Sequence, residues 1–488
     1  MTPDRLDRIG ALLDEAVGEG GIPGAVAVTG RGPVTLGRWV AGLADSNDRR
    51  PMRADTVFDL ASLTKVVATT TVTLALAGRG ELKLSDPVAG YLPDARACHD
   101  GQVTIAHLLT HTSGLPGRRQ FYRWYGSRAE LLRDLRQTPL DVPPGSRVAY
   151  SDPGFMLLGE VVEAVAGEPL DAAVRRLVTG PLGLTATGFR PNGPAQRFAA
   201  TECRADGTAW TGTVHDENAR LMGGVAGHAG LFAPAADLAG FAAWWVGADD
   251  AVIPAAVRRA AATCQTGDLA GRRGYGWACP GDASDILGGT WPPTAVSHTG
   301  FTGTSLALDP ASGAWVVLLT NAVHAGRDAT AVAALRRAVH KAIWVLQGPY
   351  RPDLDLAEPG YRMRGGHPDG LLQAGALQHV VPADDLLGLG ERPVADQDLI
   401  VADQHGLGFL SGPEPVAVQP DAAGDHVVEP GKAPGVVVVG VGSVRCLVVG
   451  EPGRVDTDQH HELHLVSILV TLTSPRRTRI AQKDDRPA

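Results

Sequence analysis

The sequence predicts an α+β fold, and three observations carry that prediction. Apolar positions at Leu6, Ile9, Leu12, Leu13, Ala16 and Val17 repeat with helical spacing near the start, and 327–345 form a second amphipathic helix. Strand-like text stands at 23–42 and returns at 297–321. Between them, 100–190 reads as mainly helical, with connections rich in proline and glycine. A chain that carries a helix and strands at each end brings those ends together around one sheet and leaves the middle as a helical lobe.

Taken in order, the segment PGAVAVTGRGPVTLGRWVAG alternates and turns as a hairpin does. The apolar run from Val66 to Leu76, ended by Gly78, reads as a buried helix that begins near Ser62. SHTGFTGTSLALD and GAWVVLLTN are the returning strands, and the first domain is expected to span 1–346. QGPYRPD, 347–353, reads as a linker. Beyond it LQHVV, LIVAD, PVAVQ, VRCLVV and LHLVSILVTLT are short, rich in valine and separated by turn residues. They predict a second, β-rich domain over 354–488. A length of 488 residues agrees with two cores rather than one.

Composition excludes several classes. With 44% hydrophobic and 20% charged residues, the chain is globular rather than disordered. A net charge of −9 without a basic stripe speaks against nucleic acid as a partner, and Arg476, Arg477 and Arg479 read as a solvated tail. The N-terminal text has Asp, Arg and Glu where a secretory leader needs an apolar stretch, and runs such as Val436 to Val439 and Leu465 to Leu472 are too short to span a bilayer. The expectation is a cytoplasmic protein without a membrane partner. The five cysteines (Cys98, Cys203, Cys264, Cys279 and Cys446) form no C-x-x-C pair, so neither a disulfide framework nor a zinc ribbon is expected.

The chemistry gathers at three places. Ser62 and Lys65 stand three apart at a helix start, which puts both side chains on one face. A serine hydroxyl needs a base, and a buried lysine can serve as one. The helix N-terminus aims N–H groups at developing negative charge. Val148-Ala149-Tyr150-Ser151-Asp152 supplies a tyrosine able to relay a proton. Ser297-His298-Thr299-Gly300-Phe301-Thr302-Gly303-Thr304-Ser305 has small residues, Gly300 among them, where backbone N–H groups could approach a substrate.

In this order and at these intervals, S-x-x-K, Y-x-[ND] and [KH]-[TS]-G resemble the serine β-lactamase and penicillin-binding-protein superfamily, class C β-lactamases in particular. The stretches from His107 to Pro116 and from Val214 to Phe232 are similar to phrases of the same superfamily. The resemblance covers about residues 5–346. It implies a β-lactamase/transpeptidase-like domain, an antiparallel sheet flanked by helices plus a helical lobe, followed by a β-rich appendage such as a lipocalin-like barrel. It implies that Ser62 forms an acyl-enzyme, that Lys65 and Tyr150 share acid and base work, and that the Ser62 and Phe301 amides form the oxyanion hole. His298 would sit beside Tyr150.

Two departures matter. His298 stands where a lysine usually attracts a substrate carboxylate, which a neutral histidine does poorly. That brings the chain closer to esterases, D-aminopeptidases and peptide-cyclising thioesterases of this type. Asp152 stands where Asn is common, and a carboxylate there can pair with Lys65 and raise its pKa. The expected function is hydrolysis of an ester or amide in a small or peptide-like substrate through an acyl-serine. The alternative is acyl transfer in natural-product biosynthesis, with a carrier-bound acyl donor as a possible partner. A ligand sensor without catalysis is the third reading.

Competing motifs are weaker. Gly303-Thr304-Ser305-Leu306-Ala307 lies in a strand and ends in Ala, unlike a nucleophile elbow. Gly440-Val441-Gly442 lacks the third glycine and following helix of a dinucleotide loop. His460, His461, Glu462 and His464 are dense, but their neighbours alternate as a strand edge does rather than as a zinc helix. Neither a cofactor nor a metal is expected.

Overall fold

A six-stranded antiparallel sheet, in the order β3-β2-β1-β11-β10-β9, is the frame of the first unit. Its strands are β1 (Gly24–Arg31), β2 (Val34–Asp45), β3 (Arg50–Pro51), β9 (Val296–Thr299), β10 (Ser305–Asp309) and β11 (Ala314–Thr320). The computed structural model describes residues 3–347 except 97, 99–101 and 288, together with 399–403, 406–410, 436–441, 444–449 and 467–472. The central pairing joins the two ends of the domain: Val26 lies opposite Leu319 and Val28 opposite Val317.

Alternation along these strands feeds two cores. Ala25 and Ala27 with Val316 and Leu318 pack on one face, against Ile9 and Leu13 of α1 (Pro3–Gly18) and Leu335, Val339 and Ile343 of the terminal helix, Thr330–Gln347. Val26 and Val28 with Trp315, Val317 and Leu319 face the other way, towards Phe241 and Trp245 of the helix Ala235–Val246. All seven residues of β11 are therefore buried. Its continuous apolar text reflects cover on both faces rather than one.

The middle of the chain is helical as expected, with Ile105–Leu109, Arg128–Gln137, Asp152–Ala166 and Leu170–Val174. A small sheet of β4 (Val57–Asp59), β8 (Leu231–Pro234) and β5 (Gly188–Phe189) and the hairpin β6 (Ala200–Cys203) with β7 (Ala209–Thr211) complete it. The buried helix after Ser62 differs in kind from the expectation. Lys65–Thr70 is a π-helical stretch that runs into the α-helix Thr71–Gly78. Periodicity cannot separate the two, and π turns concentrate at functional sites.

The chain divides into two compact units, Met1–Tyr361 and Arg362–Ala488. The terminal helix includes Gln347, where the linker was expected to begin; the rest of 347–353 lies outside the described residues. In the second unit β12 (Leu399–Asp403), β13 (Gly406–Leu410), β14 (Val436–Val441), β15 (Val444–Val449) and β16 (Ser467–Leu472) form one antiparallel sheet in the order β13-β12-β16-β15-β14. LIVAD and VRCLVV are β12 and β15. LQHVV, PVAVQ, the His460 to His464 cluster and the closure of a barrel fall outside the described residues. Among those described, no helix is long and apolar enough to cross a membrane.

Candidate active site

Ser62 sits on a turn held from several sides. The Leu60 amide donates to the Leu231 carbonyl at 2.9 Å. Ala61 takes a left-handed conformation, φ 46°, which is costly for a residue with a Cβ. Its N–H is fixed by the Asp59 carboxylate at 2.9 Å, which also accepts the His215 N–H at 2.6 Å. Burial pushes the Asp59 carboxyl up, against those donors. From the other side, Thr302 Oγ1 donates to the Asp59 carbonyl at 2.7 Å and Thr304 Oγ1 to the Leu60 carbonyl at 3.0 Å.

These two threonines come from the turn after β9, so the nucleophile turn and the third motif are locked together. Gly300 is the point of closest approach: a Cβ there would lie 2.2 Å from Thr304 Oγ1 and 2.4 Å from the Leu60 carbonyl oxygen. No backbone hydrogen bond takes up the Ser62 or Phe301 amide among the described residues. The side chain of Phe301 points outward, 44% exposed, and stacks on His215 with centroids 5.6 Å apart.

Lys65 is fully buried, and all three ammonium protons have acceptors: Ser62 Oγ at 3.0 Å, Asp152 Oδ1 at 2.8 Å and the His228 carbonyl at 3.1 Å. Burial works to lower its pKa, but the charges of Asp152 and the Tyr150 oxygen prevail and hold it above the usual lysine range. His228 is itself placed by Asp216, whose Oδ1 lies 2.9 Å from His228 Nε2 and which caps the helix Glu217–Leu221. Burial would raise the Asp216 carboxyl, yet His228 and its donors hold it well below the usual range.

Tyr150 comes just before the helix Asp152–Ala166, whose start is fixed by the Ser151 hydroxyl accepting the Gly154 N–H at 3.0 Å. The Lys65 ammonium lies 4.8 Å from the Tyr150 ring centre. His111 stands 4.5 Å away, centroid to centroid, and His298 6.0 Å. Burial, reinforced by nearby cations, pushes both histidines well below their usual range, so both are neutral. Their tautomers follow from their partners. His111 Nδ1 accepts the Ser151 N–H at 3.0 Å, leaving the proton on Nε2. His298 Nδ1 donates to the Thr299 carbonyl at 2.9 Å, leaving a lone pair on Nε2. Both Nε2 atoms are buried without a hydrogen-bond partner.

Ser62, Lys65, Tyr150, Asp152, His298, Gly300 and Phe301 thus lie close together. The sequence reading missed Arg273. This buried arginine pairs with Asp282 at 2.9 Å, and its guanidinium lies 5.5 Å from the Tyr150 ring centre. It also missed Asp59, two residues before the Ala61 strain. His107, His111 and His228 are hydrogen-bonded framework groups, and Asn218 joins two parts of one loop by donating to the Arg119 carbonyl and accepting the Tyr122 N–H. No group of three or more His, Cys, Asp or Glu side chains able to hold a metal occurs among the described residues.

Several known proteins are similar to this chain. The Beta-lactamase family profile matches residues 9–341. Esterase EstB of Burkholderia gladioli is 36% identical over 386 residues, covering 68% of this chain and 94% of that protein. A putative D-alanyl-D-alanine carboxypeptidase of Escherichia coli K12 is 34% identical over 313 residues, 56% of this chain and 71% of that protein. Among solved structures, EstCE1, described as a hydrolase with promiscuous acyltransferase activity, superposes with a TM-score of 0.57 at 26% identity, covering 70% of this chain and 99% of that one. A chain with this fold, this profile and a serine hydroxyl hydrogen-bonded to a buried lysine belongs to the beta-lactamase family, within the superfamily of serine hydrolases and acyltransferases that includes the penicillin-binding proteins.

Proposed function

We propose that the protein cleaves an ester or amide bond of a small or peptide-like substrate through an acyl-Ser62 intermediate. The observation that carries this reading is the 3.0 Å hydrogen bond from the Lys65 ammonium to Ser62 Oγ in a site where that ammonium is also tied to Asp152. With its protons engaged, Lys65 acts as a charged group that orients and stabilises the serine oxygen, and Tyr150, acting as the phenolate, takes the proton. Ser62 Oγ then bonds to the substrate carbonyl carbon. The negative charge that develops on the carbonyl oxygen is met by the Ser62 and Phe301 amides. Tyr150 returns its proton to the leaving alcohol or amine as the bond to it breaks. A second acceptor repeats these steps in reverse.

If the acceptor is water the enzyme is a hydrolase; if it is an amine or alcohol the enzyme is an acyltransferase. The likeness to EstCE1 favours keeping transfer as the second reading. Intact-mass spectrometry of wild type and Ser62→Ala, after exposure to activated esters and peptidyl thioesters with and without amine, tests both. An adduct on the wild type alone, decaying in water, supports the hydrolase; decay only with amine supports the transferase. Equal labelling of both proteins overturns the role of Ser62.

A further inference from the structure

The third motif puts the neutral His298 where a cation would attract a substrate carboxylate, yet a cation stands at the same site on a different element. Arg118 follows the helix Ile105–Leu109, in a segment pinned to the second motif. Ser151 Oγ donates to the Pro116 carbonyl at 2.7 Å, and the Asp152 N–H to the Gly117 carbonyl at 2.9 Å. On the far side, Asn218 Nδ2 holds the Arg119 carbonyl at 2.8 Å. The base of Arg118 is therefore fixed relative to Tyr150 and Asp152.

Its side chain lies between Asp152 and Phe301. Arg118 Nε is 3.9 Å from Asp152 Oδ2, and its guanidinium is 5.6 Å from the Phe301 ring centre. It thus touches the carboxylate that holds Lys65 and the residue whose amide faces the developing oxyanion. The side chain is 69% exposed, and among the described residues its one ion-pair partner is that distant Asp152 oxygen, which Lys65 already neutralises. Arg327 also reaches Phe301, at 5.9 Å, but its charge is met by Glu202 at 2.6 Å and Glu217 at 2.8 Å. Of these two cations Arg118 has hydrogen-bonding capacity to spare, in a planar fork that matches a carboxylate.

We propose that Arg118 is a specificity-determining residue that binds a carboxylate carried by the acyl donor, so that the preferred substrates are anionic esters or amides. The inference rests on the acyl-Ser62 reading. It moves the anion-recognising charge from the sheet to the 116–118 segment, where a substrate meets it before reaching Ser62.

The test compares mono-p-nitrophenyl glutarate with the neutral p-nitrophenyl pentanoate. The quantity read is the ratio of their kcat/KM values in wild type, Arg118→Gln and Arg118→Lys, with circular dichroism to confirm folding. The expected result is a wild-type preference for the glutarate that falls about tenfold in Arg118→Gln, as loss of a charge-assisted hydrogen bond predicts. Arg118→Lys should recover part of it, and added salt should lower the wild-type ratio. A ratio unchanged within about twofold in Arg118→Gln, or an equal loss on both esters, overturns the proposal, since a merely structural arginine would slow both alike. Turnover of the neutral ester by wild type but not by Ser62→Ala keeps the acyl-serine reading whatever the ratio does. Failure of both esters to acylate wild-type Ser62 overturns that reading and this inference with it.

Discussion

Two kinds of buried group meet the Tyr150 ring: Lys65, which is charged, and His111 and His298, as deeply buried but neutral. The Lys65 side meets the cost of burial by compensation: a carboxylate, a hydroxyl and a carbonyl take its three protons. The histidine side meets it by shedding charge, with Arg273 as the cation beneath and each histidine left with one unpaired ring nitrogen. A compensated charge is rigid and costly to disturb. Unpaired nitrogens of opposite character, a donor on His111 and an acceptor on His298, leave unmet hydrogen-bonding capacity there. The asymmetry assigns fixed electrostatics to the lysine side and adaptable hydrogen bonding to the histidine side.

The harshest way to break this contrast is Lys65→Met. Removing one member of a buried pair strands Asp152 and is expected to cost about 3–5 kcal/mol in stability. Acylation of Ser62 should fall roughly 10²- to 10³-fold, the range for loss of one preorganised electrostatic contact at a reacting oxygen. Stopped-flow acylation by an activated ester, with thermal melts of the same samples, reads both. A variant that melts and acylates as wild type would show the compensation to be idle.

Asp152→Asn sharpens the contrast instead of breaking it. The carboxylate raises the Lys65 pKa, so its loss lets burial pull that pKa down. If Lys65 works as an ammonium, its charged form now disappears at lower pH, and the alkaline limb of kcat/KM moves to lower pH. The plateau should change by less than about tenfold, because Tyr150 and the oxyanion amides remain. If the acid limb moves down instead, and neutral-pH activity rises, Lys65 is the free base and Tyr150 is not.

Much of the lysine side was legible in the sequence, because its parts are short motifs with fixed spacing. Ser62 and Lys65 meet through one helical turn, and Asp152 follows Tyr150 by two positions. The sheet was legible from alternation, and the joining of the chain ends from where the strands fell. The histidine side was legible only in part. His298 lies in a motif, but the neutral state of His298 and His111 depends on burial and on Arg273, which comes from a loop with no signature of its own. Arg118 was equally silent, one arginine among many until backbone pairing fixed it against Tyr150. The strain at Ala61 and the π stretch from Lys65 to Thr70 escape apolar periodicity, because both are backbone states that side-chain type does not encode.

The smallest effect concerns a third buried histidine, on the terminal helix, which likewise has one paired and one unpaired ring nitrogen. His340 Nε2 lies 3.1 Å from Ser305 Oγ on β10, and burial with the nearby Arg336 pushes its pKa down from 6.5 to about 3. The unfolded chain binds that proton below about pH 6.5 and the folded chain does not. The stability His340 contributes is therefore complete above pH 6.5 and drains away as pH falls towards 3. The loss is about 1.4 kcal/mol per pH unit for one such histidine. The difference between melts of wild type and His340→Gln from pH 7 to 5 isolates it, because every other titrating group is common to both. The glutamine variant starts less stable by the cost of imperfect packing, and its curve against pH should be flatter by about one proton. Parallel curves would mean that His340 takes up its proton in the folded state at little cost, and that burial alone does not keep the histidines of this fold neutral.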